Sequence, residues 1–252
     1  MTKEYLKSKI NLKTGLTILA VIIAIVSITI AIVYYKTRGR LQIQFDIHQN
    51  KEAIYLSTFA EPPQFAIWIE NPKNGRCKTV FVTSRVSIGD WEGKKNVPVA
   101  LPLWFDLFKV KKQTETSKAK KDQSFAVTGA TPKDDYFSVR IEVPPGSDWI
   151  CWIEMNLAGD FNEAFPEFNE QTFEEDEFSC GQPALVYKAV INATDGFVAE
   201  PKLANQSVWE NGKNRIEAVS KGVTTAKNVF DEIKIVVMKP KIKLIEDKIQ
   251  DL

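Results

Sequence analysis

Leu16 to Tyr35, LTILAVIIAIVSITIAIVYY, is twenty residues without a charge. It limits what the chain can fold into more than any other stretch. A helix rises ~1.5 Å per residue, so a run of this length matches the roughly 30 Å hydrocarbon core of a bilayer. A secretory signal peptide is the alternative, but its apolar region is usually about 7–15 residues and ends at small residues. This run ends in Tyr34, Tyr35 and Lys36, the aromatic and basic boundary of a retained membrane helix. The reading is an uncleaved anchor over 16–35, behind a short basic head at 1–15. Lys3, Lys7, Lys9 and Lys13 precede the span, and Lys36, Arg38 and Arg40 follow it. The basic bias and the signal-anchor layout place the head in the cytoplasm and residues 41–252 outside it, in the periplasm or at the cell surface.

Setting the anchor aside changes the charge. The whole chain has 33 Lys/Arg and 32 Asp/Glu, of which the first forty residues hold seven and one, so the remainder carries 26 and 31. A mildly acidic exported part excludes nucleic acid as a partner, since that needs a basic surface. Cys77, Cys151 and Cys180 make an odd count, which allows one disulfide outside the cytoplasm and leaves one thiol. They form no C-x-x-C pair, and His48 is the single histidine, so no conventional zinc site is expected.

The exported part reads as β-structure. Leu41, Ile43, Phe45 and Ile47 alternate with Gln42, Gln44, Asp46 and His48, a half-buried strand with His48 on its solvated side. FAIWIE (65–70), the turn Asn71 to Gly75 and CKTVFVT (77–83) form a hairpin. Further strands are expected at Tyr136 to Val143, Trp149 to Met155, Ala184 to Asn192 and Glu232 to Lys239. In the second of these, Trp149, Cys151 and Ile153 are expected to face inward. Leu101, Trp104, Phe105 and Phe108 have helical spacing, a short aromatic helix read as capping one open end of the sandwich. Ile242, Ile245, Ile249 and Leu252 suggest a short helix in the tail at 240–252. Seven or so strands with short turns and no βαβ rhythm predict an antiparallel β-sandwich over 41–239.

Two charged segments stand out. Residues 109–121 hold six lysines, among them Lys111, Lys112, Lys118, Lys120 and Lys121, with Glu115 the only acid. Residues 163–177 hold seven acids, among them Glu170, Glu174, Glu175 and Glu177. Phe165, Phe168, Phe173 and Phe178 are expected to pin that acidic loop to the body. Asp160, Asn162 and the nearby acids are hard oxygen ligands, but the spacing of a calcium-binding hand is absent, and no metal site is expected.

FAIWIENPKNGRCKTVFVT, AVTGATPKDDYFSVRIEV and PPGSDWICWIEMNLAGDFN together resemble domain-of-unknown-function family 2271. These are predicted periplasmic proteins, often labelled similar to flagellar hook-capping proteins. The resemblance covers roughly residues 41–192. It implies an immunoglobulin-like sandwich outside the cytoplasm and no assigned activity. Neighbours of that family are associated with flavin-carrying electron-transfer systems, which draws attention to Thr128-Gly129-Ala130-Thr131. Proteins with covalent FMN carry a similar string ending in the acceptor threonine, here Thr131, although their aspartate position is Phe125 in this chain. The competing reading is a Gly-Ala turn into the next strand, which Pro132 favours.

With one histidine on a strand's polar face, no Ser-His-Asp or Cys-His arrangement is visible, and no phosphate-binding glycine pattern occurs. The expectation is a membrane-anchored binding or scaffold protein without catalytic activity, engaging other envelope proteins, in an assembly of redox type or otherwise. A carrier of FMN on Thr131 and an envelope hydrolase using acidic-loop carboxylates are the alternatives.

Overall fold

The structure is a computed structural model that describes residues 2–37, 40–87, 90–91, 94–95, 100–108, 128–129, 132 and 134–240. The elements, in chain order, are α1 (Thr2–Thr37), β1 (Leu41–Gln49), α2 (Lys51–Tyr55), β2 (Gln64–Glu70), β3 (Cys77–Thr83), α3 (Ser84–Ser87), β4 (Asp90–Trp91) and β5 (Lys94–Lys95). There follow α4 (Pro102–Phe108), β6 (Thr128–Gly129), β7 (Tyr136–Val143), β8 (Asp148–Asn156), β9 (Phe168–Asn169) and β10 (Glu174–Glu175). The last are β11 (Ala184–Asn192), β12 (Val198–Ala199), β13 (Lys202–Glu210), β14 (Lys213–Glu217) and β15 (Phe230–Met238).

Within α1, Thr14–Tyr34 is a 21-residue stretch long and apolar enough to cross a membrane, and none of it is buried against protein. One polar group inside it is satisfied locally. Thr29 donates its hydroxyl to the carbonyl of Ile25 at 2.8 Å, which hides a hydrogen-bonding group that lipid cannot satisfy.

Leu41–Lys239 form one compact unit, which is mainly β and antiparallel. A four-stranded sheet runs β12-β15-β1-β7 and a seven-stranded sheet runs β14-β13-β11-β8-β2-β3-β6. Among the described residues, only β3 and β6 pair in parallel within them. The two sheets face each other over a single core. From the small sheet come Ile43, Phe45 and Ile47 of β1 and Ile233, Ile235 and Val237 of β15. From the large sheet come Phe65 and Ile67 of β2, Cys151 and Ile153 of β8, and Leu185 of β11. This is the expected sandwich, and the alternation in β1 survives residue by residue as buried and half-buried positions. Trp149, Cys151 and Ile153 do share the inward face.

The large sheet is also apolar on its outer side. Ala66 and Trp68 of β2, Val82 of β3 and Val186 of β11 join Leu101, Leu103 and Trp104 in a second cluster. That is why β2 reads as a continuous apolar run rather than an alternating one: both of its faces are covered. The aromatic helix α4 therefore lies on the outer face of the large sheet, and its expected place over an open end of the sandwich is corrected. Trp68 and its neighbours leave an apolar surface that has to be shielded from water, and α4 is the element at hand.

A hairpin that the strand pattern missed completes the large sheet. β13 and β14 are joined at Asn211 and Gly212, both at positive φ (52° and 76°). Asn-Gly suits a two-residue hairpin turn that needs the left-handed region at both positions. The expected helix at 240–252 lies outside the described residues beyond Pro240.

Candidate functional site

Asn156, Asp160 and Gln182 are buried, and they anchor the acidic loop. Asn156 Nδ2 donates to the carbonyls of Cys180 (3.3 Å) and Gln182 (2.9 Å). Gln182 N donates to Asp160 O at 3.1 Å, and Gly159 N to Ser179 O at 2.7 Å. Asp176 accepts from the amides of Phe178 and Gly181. Burial pushes the Asp160 carboxyl up to about 6, because a charge is disfavoured where water is excluded. The loop thus rises from a fixed base.

Above that base, β9 and β10 pair as a short hairpin, Glu174 opposite Asn169 and Glu175 opposite Phe168. Asn169 Oδ1 accepts from the amides of Gln171 and Thr172 and shapes the tip. Glu170, Glu174, Glu175 and Glu177 are all exposed, as are Glu163 and Glu167. Among the described residues, no cation forms an ion pair with any of these six. The four phenylalanines divide into two pairs. Phe165 packs on the core and Phe178 on the outer cluster. Phe168 and Phe173 stay 49% and 79% exposed and pack edge to face on one another at 6.5 Å. The expectation that all four pin the loop is corrected: two do, and two form a ridge among the carboxylates. The division follows reach, since the hairpin carries its tip residues away from the body.

Lys111, Lys112, Lys118, Lys120 and Lys121, and Thr131 with its proposed flavin, lie outside the described residues. Thr128 and Gly129 of the same string form the short edge strand β6 beside Val82 and Thr83.

Sequence reasoning passed over Glu154. It is fully buried on the outward face of β8. Its two carboxylate oxygens accept from the amides of Leu103 (2.9 Å) and Trp104 (2.7 Å) at the start of α4, and Ser207 donates a third hydrogen bond. Burial pushes its carboxyl up to about 7, against the pull of those donors. The carboxylate bolts α4 to the large sheet, and nothing in the geometry opens it to substrate. The only sequence signal was a lone acid on the strand face shared with Trp152, opposite the inward residues.

His48, expected to be solvated, is half-buried and partnered. Its Nδ1 lies 2.5 Å from Asp231 Oδ1, and its ring lies 4.5 Å from that of Tyr136. No disulfide joins Cys77, Cys151 and Cys180. Burial raises the Cys151 thiol well above its ordinary range, as befits an inert core position.

A cleft sits where β1 ends. The chain enters the sandwich at Leu41, and β1 runs from there to Gln49, which lines a cleft of about 600 Å³. Lys51, Tyr55, Glu61, Arg85 and Asp134 border it. Lys51 Nζ meets Asp135 Oδ1 at 2.5 Å, and Arg85 Nη1 is 4.0 Å from Glu61 Oε2.

No family model matches the chain, and neither the curated proteins nor the solved structures yield a match.

Proposed function

We propose that the protein is a membrane-anchored, extracytoplasmic binding or scaffold module without catalytic activity of its own, which engages other proteins of the cell envelope. The observation that carries this reading is the acidic hairpin at 167–177. Its exposed carboxylates have no ion-pair partner among the described residues, and they flank the Phe168–Phe173 ridge. Exposed aromatics supply contact energy at protein interfaces, while surrounding charge sets encounter rate and partner choice. A hairpin fixed at its base loses little freedom on binding, which favours association. The apolar helix at Thr14–Tyr34 supports tethering to a membrane, and the lysine segment at 109–121 is the second surface in the proposal.

The test is crosslinking in intact membranes followed by capture of the full chain. Replacing Glu170, Glu174, Glu175 and Glu177 together with lysine is expected to remove partners caught by the unaltered chain, with the unfolding transition unchanged. Reversing Lys111, Lys112, Lys118, Lys120 and Lys121 to glutamate tests the other surface in the same way. Recovery of the same proteins from both variants would overturn the reading.

A further inference from the structure

We propose that the cleft at the end of β1 is a binding site for a neutral oligosaccharide. Its lining carries both signs, Lys51 and Arg85 beside Glu61 and Asp134, and each cation already faces a carboxylate, Lys51 that of Asp135 and Arg85 that of Glu61. An anion entering the cleft would meet two carboxylates, and a cation would meet an ammonium and a guanidinium. A ligand without net charge, bearing groups that both donate and accept, satisfies every side of such a lining. Vicinal hydroxyls do this, because a carboxylate takes two O–H donors and a guanidinium offers two N–H donors in one plane.

The floor points the same way. Gln49 is only 2% exposed. Its Nε2 donates to the carbonyls of Pro132 (3.4 Å) and Asp134 (3.0 Å), which fixes the orientation of the amide. Its Oε1 has no hydrogen-bond partner among the described residues. A buried acceptor left unmet is costly, and a hydroxyl hydrogen is the donor a sugar brings.

The rim supplies the apolar part of the recognition. Tyr55 borders the cleft and is 67% exposed, a flat apolar surface suited to the C–H face of a pyranose. Its helix is held firmly: Asn50 caps α2 by accepting from the amides of Glu52 and Ala53, and Ala53 and Ile54 are buried. The site is thus preformed, of a size usual for small-ligand sites, with a few polar groups converging on it.

The test uses the full chain in micelles of a detergent without a sugar headgroup. Saturation-transfer NMR and calorimetry with chitotriose, maltotriose and cellotriose are expected to detect binding of at least one triose. Glu61→Gln, Arg85→Gln and Tyr55→Ala alter exposed side chains, and each is expected to weaken that binding roughly tenfold or more without moving the unfolding transition. Silence from all three trioses would overturn the proposal. So would undiminished binding in the variants, or tighter binding of inorganic phosphate or spermidine than of any triose.

Discussion

Glu154 holds three donors in a place water does not reach, and its behaviour with pH follows from that. Burial raises its carboxyl from 4.5 to about 7, so the folded protein binds this proton more tightly than the unfolded chain does. The group's contribution to stability is therefore largest below about 4.5, declines as pH climbs towards about 7, and is level above it. Asp160, raised from 3.8 to about 6, adds a like decline over a lower window. Urea unfolding across this range should show Glu154→Gln with a shallower pH dependence than the unaltered protein, by at most about 1.4 kcal/mol per pH unit. The same variant should lose about 1–3 kcal/mol above neutrality, because an amide cannot accept from both helix amides. An unchanged slope would mean that Glu154 stays ionised throughout. Phe173 makes the opposite case. It holds φ at +59° while its ring stands in solvent, a backbone conformation that costs an L-residue about 1–2 kcal/mol. Phe173→Gly should leave stability within about 1 kcal/mol, since glycine trades that strain for chain entropy. Partner capture by the hairpin should nonetheless fall.

The elements differ in how far the sequence announced them. β1, β7 and β8 were legible because one inward residue in two leaves a period that needs no tertiary knowledge, and β2 and β11 because a short apolar run marks a strand covered on both faces. β13 was not, since Lys202, Ala204, Gln206 and Ser207 carry no apolar alternation. Its burial depends on side-chain bonds such as Ser207 to Glu154, which only the assembled sheet supplies. α4 was legible as a helix but not in its position, because helical spacing says nothing about which surface needs covering. The acidic hairpin was legible as charge, whereas the division of its phenylalanines depends on three-dimensional reach. The cleft gave no sequence signal at all: Gln49, Tyr55, Arg85 and Asp134 come from four separate segments. Two substitutions test the element-scale account. Trp104→Ala removes a fully buried ring from α4 and should cost about 3–5 kcal/mol in chemical denaturation. Gly181→Ala would place a Cβ 2.7 Å from the backbone of Asp160 at a φ of +67°. It should cost at least about 1–3 kcal/mol and loosen the acidic hairpin, seen as faster amide exchange at 167–177.

For the whole molecule, the proposed placement of the sandwich outside the cytoplasm has a direct chemical test in the three thiols. Cys77 and Cys180 are partly accessible and Cys151 is buried. A membrane-impermeant maleimide applied to intact cells should label Cys77 and Cys180, slowly at Cys77 because burial raises its thiol, and should spare Cys151. Labelling only after the membrane is permeabilised would put the domain on the cytoplasmic side.

The path of β1 has a mechanical consequence. Tension drawn between the anchor and the far end of the sandwich enters at Leu41 and travels along β1. That strand is held on both flanks, by β15 and by β7. Both ladders would be loaded together, in shear, so their hydrogen bonds share the force instead of peeling apart one at a time. A sandwich loaded in this way gives little under steady load and then ruptures at once, and in single-molecule pulling it should fail at a higher force than when drawn apart across its sheets.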